Sequence, residues 1–259
     1  MAVRGEAELI QEIERLSTEL ARREREAAEK ELQLERYAAD LRETYKRERS
    51  RAQELRRSYM ATVRALSNSV EARDAYTGKH AERVTAYGME IVRALGGSLA
   101  ETPELEFGFL LHDIGKVAVP DAILYKPSTL SDKERALIRQ HPVIGAEIVR
   151  GIEFLTDAAK VIRCHHERWD GDGYPDGLAG EQIPLSARVF AVADVFDALT
   201  TDRPYRPASR MTIAREMIIA ESGQQFDPRV IEVFESIEQS KFDHISREMT
   251  SRSEARFSR

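Results

Sequence analysis

Six histidines occur in the chain, all after residue 60, and five of them, His80, His112, His141, His165 and His166, precede the polar tail. Each stands beside a helix boundary or inside a helix that could face one cavity; only His244, in a polar tail, stands apart. Two carboxylates accompany them. Asp113 directly follows His112, and Asp194 interrupts the apolar run Arg188-Val189-Phe190-Ala191-Val192-Ala193-Asp194-Val195-Phe196-Asp197. Taken singly, each histidine reads as a satisfied polar group. Asp194 alone reads as a buried carboxylate bonded to Arg188 or to a helix N-terminus, since an unpaired charge there is costly. Taken together, five imidazoles and two carboxylates exceed what one tetrahedral zinc needs. They suit two six-coordinate metals about 3.5–4 Å apart with an aspartate between them. Mixed imidazole and carboxylate ligation favours iron or manganese over a thiolate-preferring metal. Between such metals a water loses a proton near neutral pH and attacks, so the site would hydrolyse without a serine or cysteine nucleophile.

The stretch His165-His166-Glu167-Arg168-Trp169-Asp170-Gly171-Asp172-Gly173-Tyr174-Pro175 stands at the centre of this set. Adjacent histidines do not share a helix face. Using both calls for something placed between or beside them, and the glycines that follow let the backbone come close. The single cysteine, Cys164, adjoins the pair but reads as a buried thiol with no catalytic part.

The elements that must position these residues fall into two parts. Residues 1–60 hold no proline, 14 Lys and Arg and 14 Asp and Glu, which leaves 25 basic against 31 acidic residues after residue 60. Ile13, Leu20, Ala27, Leu34 and Leu41 recur every seven residues, with Leu9, Leu16 and Tyr37 in the companion column. This heptad seam, shifting register near Tyr45 and resuming at Leu55, predicts a parallel coiled-coil homodimer through residues 1–60. Its periodicity continues through Val63, Leu66 and Val70. Residues 61–242 predict an all-α domain of about seven to eight helices with few strand signals. Helices are expected at 85–95, closed by Gly96-Gly97; at 104–113, with Pro103 at the start; and after the capping box Ser131-Asp132-Lys133-Glu134. Others are expected at 143–150, 155–167, 185–199 and 229–238, the last opened by Pro228. The tail, residues 243–259, is polar and expected to fray. A net charge of −6 argues against a broad nucleic-acid surface. One cysteine excludes an internal disulfide and fits a reducing cytoplasm. No apolar run approaches a membrane span, and no signal-peptide core is seen.

Five blocks in order resemble the HD-GYP family of HD-domain metal phosphohydrolases, across roughly residues 61–240. They are Arg73-Asp-Ala-Tyr-Thr-Gly-Lys-His80, His112-Asp113-Ile-Gly-Lys116, His141-Pro-Val-Ile-Gly145, His165 to Pro175, and Asp194-Val-Phe-Asp-Ala-Leu-Thr-Thr-Asp-Arg203-Pro-Tyr-Arg206. The resemblance implies an HD-domain-like helical bundle and a phosphodiesterase that hydrolyses cyclic di-GMP to linear pGpG, GMP or both. It implies the ligand set His80, His112, Asp113, His141, His165, His166 and Asp194, with Asp113 as the bridge and with Lys116, Arg203 and Arg206 as phosphate-contacting cations. Three-metal members carry a glutamate four residues before the first histidine; here Tyr76 stands in that place, so two metals, iron or manganese, are expected. Gly173-Tyr174-Pro175 would close over substrate, dock a GGDEF-type cyclase, or simply support His166. A longer relative could carry an upstream sensor, whereas this sequence begins at Met1 with none; an upstream sensor or receiver is a candidate partner. A non-hydrolysing dinucleotide receptor or a signalling scaffold is the alternative, and activity on the mixed GMP–AMP cyclic dinucleotide stays open.

Overall fold

A computed structural model describes residues 2–73, 80–102, 104–202 and 206–257. Tyr76, Pro103, Arg203 and Pro204, all named above, lie outside the described residues. The chain forms two compact units, Met1–Tyr59 and Met60–Arg259.

The first unit is helix alone. It is part of α1, Ala2–Glu71. Exposed pairs three and four residues apart lace it, among them Glu12 with Arg15, Glu19 with Arg22 and Arg23, and Glu48 with Arg51. Exposed to water and screened by salt, such pairs contribute little to stability. The apolar seam gains nothing within the chain: Leu9, Ile13, Leu16, Leu20, Leu34, Leu41 and Leu55 are all exposed.

The second unit is all-α, as expected, with α2 (His80–Leu95), α3 (Gly97–Ala100), α4 (Leu105–Leu110), α5 (Asp121–Leu124), α6 (Asp132–Ile138), α7 (His141–Val149), α8 (Thr156–Cys164), α9 (Leu185–Thr200), α10 (Met211–Ala220), α11 (Pro228–Ser236) and α12 (Gln239–Phe257). No strand is present among the described residues. In its last turns, within this unit, α1 buries Val63, Ser67 and Val70, which share one face, while Leu66 of the predicted stripe points out. The predicted Ser131 capping box is present, with the Ser131 side chain accepting from the Glu134 amide and Glu134 accepting from the Ser131 amide at 2.8 Å.

More helices appear than periodicity marked. α2 begins at His80, five residues earlier than expected, with Glu82 in its first turn favouring the helix dipole. α10 was not expected, because Met211–Ala220 buries only Ala214 and Ile218 and shows a narrow stripe. Nor does the chain fray after Phe242: α12 runs on to Phe257. Its anchor is Phe242, fully buried in a ring cluster with Tyr87, Phe196 and Phe234 at centroid distances of 5.0–5.9 Å. Burying a ring of this size stabilises by about 1.5–3 kcal/mol.

α9 is the central strut. Val189, Phe190, Val192, Ala193 and Phe196 are fully buried, as its apolar composition predicts. α2 and α8 pack on it, so the helices that carry His80 and Asp194 and the helix that His165 caps share one core.

Candidate metal centre

The structure brings seven predicted side chains together in two trios and a bridge. The ligand atoms of His141, His165 and His166 lie within 4.8 Å of one another, as do those of His80, His112 and Asp194. Asp113 stands between the trios. Its Oδ2 is 3.1 Å from His112 Nε2, and its Oδ1 is 3.2 Å from His141 Nε2 and 4.0 Å from His165 Nε2.

Each histidine is aimed by a local device. His112, His141 and His165 direct Nδ1 at the carbonyl oxygens of Phe109, Ile138 and Ile162, at 2.9, 2.8 and 2.8 Å. All three bonds reach back three residues from a helix end. A carbonyl can only accept, so Nδ1 carries the proton, and in the neutral ring Nε2 is left with its lone pair. The bare Nε2 atoms of His141 and His165 then face each other at 3.1 Å. Two lone pairs at that distance repel unless a cation, a proton or a metal ion, lies between or beside them. The donor set therefore fits a metal centre, and its nitrogen and oxygen character fits iron or manganese. His80 is held differently. Its Nδ1 bonds Asp197 at 2.7 Å and its Nε2 faces Asp194 at 3.2 Å.

The electrostatics follow the same division. Burial, reinforced by neighbouring imidazoles, holds His165 well below the usual histidine range and brings His166 down to about 4. At His80 burial opposes charge, but Asp194 and Asp197 override it and raise the imidazole to about 10. Burial also opposes charge on Asp113, yet Lys116 and His112 hold it well below the carboxylate range. Burial acts the same way at Asp194, where His80 prevails and lowers it to about 2. Both carboxylates are thus anionic, which suits cation binding.

Two glycines allow this convergence. Asp113 and Lys116 flank and occupy a 3₁₀ turn, Ile114–Ala118. A Cβ on Gly115 would sit 1.9 Å from the His141 carbonyl oxygen, so only glycine lets the turn press onto α7. Gly145 answers it from the other side, where a Cβ would meet Ile162 at 2.7 Å and the Gly115 nitrogen at 3.1 Å. The single glycines of the two short motifs are therefore packing residues that set the Asp113–His141 distance.

The predicted cations separate. Lys116 Nζ bonds Asp113 Oδ2 at 2.7 Å, inside the cluster. Arg206 donates to the Ala198 carbonyl near the end of α9. Arg203 lies outside the described residues. Tyr174 packs its ring on His166 at 4.7 Å and 31°, and His166 packs on His165 at 4.1 Å. The Tyr174 amide donates to the His166 carbonyl at 3.1 Å. Gly173 has no room for a side chain, since a Cβ would lie 2.4 Å from the Arg168 nitrogen. This part of the turn backs His166. Burial pushes the Cys164 thiol up to about 11, consistent with an inert, buried cysteine.

Several residues escaped the sequence reading. Asp197 is buried, orients His80, and receives Arg83 Nε at 2.6 Å. Its spacing of three from Asp194 on one helix was the available signal. Glu167 is buried and accepts from the Asp176 and Leu178 amides at 2.7 and 3.0 Å, which ties down the glycine-rich loop. Arg139 sits 5.0 Å over the Tyr174 ring and extends the stack outward. The alternative reading of Asp194 as a carboxylate bonded to Arg188 finds no support: Arg188 pairs with Asp227 at 2.7 Å.

Comparison with known proteins agrees with this geometry. Residues 64–230 match the family model described as HD domain. The chain is 43% identical over 173 residues to the cyclic di-GMP phosphodiesterase response regulator RpfG of Xanthomonas campestris, covering 66% of this chain and 46% of that protein. It is 41% identical over 182 residues to the 3'3'-cGAMP-specific phosphodiesterase 2 of Vibrio cholerae, covering 70% of this chain and 35% of that one. A crystal structure of a cyclic GMP-AMP specific phosphodiesterase of V. cholerae superposes with a TM-score of 0.53 at 26% identity, over 71% of this chain and 52% of that chain. The chain thus spans less than half the length of these two curated relatives.

Proposed function

This chain belongs to the HD domain family, and from that premise we propose that it is a metal-dependent phosphodiesterase hydrolysing cyclic di-GMP to linear pGpG, GMP or both. The expected resemblance is borne out at the level of the family. The observation that carries the activity is the pair of trios joined by Asp113, one carboxylate oxygen toward each. In this reading His80, His112 and Asp194 would hold one ion, His141, His165 and His166 would hold the other, and Asp113 would serve both. When bound, two divalent ions supply an acidified water and neutralise charge on the phosphoryl oxygens.

The chain's own residues do the rest. Carbonyl locks on His112, His141 and His165 fix the tautomers before any ligand arrives. Lys116 keeps Asp113 ionised and places an ammonium where phosphate charge would collect. The family resemblance adds Arg203 and Arg206 as further phosphate-contacting cations for a dianionic substrate. Tyr174, turned onto His166, supports the site, which favours the supporting role over a docking face for a GGDEF-type cyclase. All seven ligand side chains are present and converge, which argues against a receptor that holds the dinucleotide without cutting it.

A second reading, the mixed GMP–AMP cyclic dinucleotide as substrate, is favoured by the V. cholerae relative named for that specificity. Assaying both dinucleotides side by side separates the two. For the exposed seam of residues 1–60 we propose a homodimeric coiled coil that sets activity through α1, with residues 61–242 as the catalytic domain. Inserting one residue near Ser58 rotates the helix by about 100°, and unchanged turnover would oppose that route. No helix among the described residues is long and apolar enough to cross a membrane, and a buried free thiol agrees with a cytoplasmic setting. Asp113→Ala tests the centre itself. Folded D113A should lose metal and turnover together; D113A with its metals and its rate intact contradicts the bridge.

A further inference from the structure

The end of α1 touches both sides of the centre. Glu71, its last residue, accepts a 2.6 Å hydrogen bond from the Ala81 amide through Oε1. Ala81 is the second residue of α2, next to His80. Its amide is among the first four of a helix, which have no partner inside the helix. A carboxylate there is favoured by charge-assisted bonding and by the helix dipole. Two residues on, Arg73 reaches the opposite wall. Its guanidinium donates to the Val117 carbonyl at 2.7 Å, to the Val119 carbonyl at 3.2 Å, and to Asp121 at 2.6 Å. Those residues close and follow the turn that carries Lys116 and is entered from Asp113. The Tyr125 hydroxyl donates to the Arg73 carbonyl from the same segment. Beside the Glu71–Ala81 contact lies a small cavity of about 20 Å³, room for about one water. Ser67, Val70 and Glu71 line it from α1, and His80, His112, Asp113 and Lys116 line it from the centre.

We propose that Glu71 and Arg73 are positioning residues that set the separation of His80 from Asp113, and hence the affinity of the centre for metal. The proposal rests on the metal-centre reading above and deepens it. Neither residue ligates. Glu71 fixes the first turn of α2, where His80 sits. Arg73 fixes the segment behind Asp113 and Lys116. The two act as one clamp, because only Ala72 stands between them in the chain. Partners of this kind commonly alter metal affinity by about 10–100-fold when removed.

The test uses the full chain, freed of metal and titrated with Mn(II), alongside hydrogen exchange at the Ala81 amide. Glu71→Ala should weaken Mn(II) binding about 10–100-fold and speed Ala81 exchange in the metal-free protein. Glu71→Gln should recover both, since its amide oxygen still accepts. Arg73→Ala should also weaken binding, and Arg73→Lys should recover it only in part, because one ammonium cannot fork over two carbonyls. Should Glu71→Ala fail to fold, Glu71→Asp, with its shorter reach, is expected to show the same loss. Wild-type affinity and exchange in Glu71→Ala or Glu71→Asp would overturn the clamp alone, as would Glu71→Gln as impaired as Glu71→Ala. Failure of the wild-type chain to bind Mn(II) would overturn the metal-centre reading and the clamp with it.

Discussion

Replacing Gly115 with alanine should disable the centre while leaving most of the fold standing. The added Cβ would lie 1.9 Å from the His141 carbonyl oxygen and 2.6 Å from the Gly145 nitrogen. Real Cβ contacts essentially never fall under 3.0 Å, so the turn and α7 must separate by roughly 1.1 Å. Both neighbours are backbone, and no side-chain rotation relieves the clash. That opening falls on the pair it most affects, Asp113 Oδ1 and His141 Nε2, now 3.2 Å apart. Metal ligation tolerates about ±0.2 Å, so a shift near 1 Å is several times too large. A misplacement of about 1 Å costs on the order of 10²-fold in rate, and metal affinity should fall with it. Overpacking of this kind costs about 1–3 kcal/mol, less than the about 5–15 kcal/mol that holds an ordinary domain. Mn(II) titration and turnover, with circular dichroism confirming the fold, are the assays. Gly5→Ala is the control, because nothing lies within 4 Å of its added carbon. Folded Gly115→Ala with wild-type metal affinity and turnover would refute the close-approach argument.

Further outcomes follow from single contacts. Tyr174→Phe should keep metal affinity and stability, since the ring on His166 remains, whereas Tyr174→Ala should lower both; equal behaviour of the two would show that the stack does not support His166. Burial opposes charge at Glu90, but Lys241 at 2.8 Å more than offsets it and keeps the carboxyl below its ordinary value of 4.5. A depressed folded value means stability present above pH 4.5 and lost as pH falls toward that lower value. Glu90→Gln should therefore flatten the acid limb of a melting-temperature profile. Changing Ile13, Leu20 and Leu41 together to serine should dissociate the coil in sedimentation experiments; an unchanged mass would sink the dimer.

The sequence made the candidate ligand set legible because imidazoles are rare and each of its five lies at or beside a helix end, where a one-residue error in the boundary does not hide it. His165 and His166 illustrate this. The helix was expected to run past them, yet α8 stops at Cys164, and that stop lets both rings turn to the same trio. The apolar composition of α9 likewise marked a buried strut without ambiguity. What stayed hidden depends on contacts distant in sequence. Asp197 pairs with His80 across 117 residues, and Arg73 with Asp121 across 48. Gly115 and Gly145 looked like ordinary turn residues until the backbones of two elements met. α12 was hidden because its composition is polar and one residue, Phe242, does most of its anchoring.

The most direct test of the central claim is metal content and product identity measured on one anaerobic preparation of the intact chain. The two-trio centre predicts two equivalents of iron or manganese per chain and opening of the cyclic di-GMP ring to pGpG or GMP. A chain carrying both metals that leaves cyclic di-GMP and the mixed GMP–AMP ring intact would contradict it.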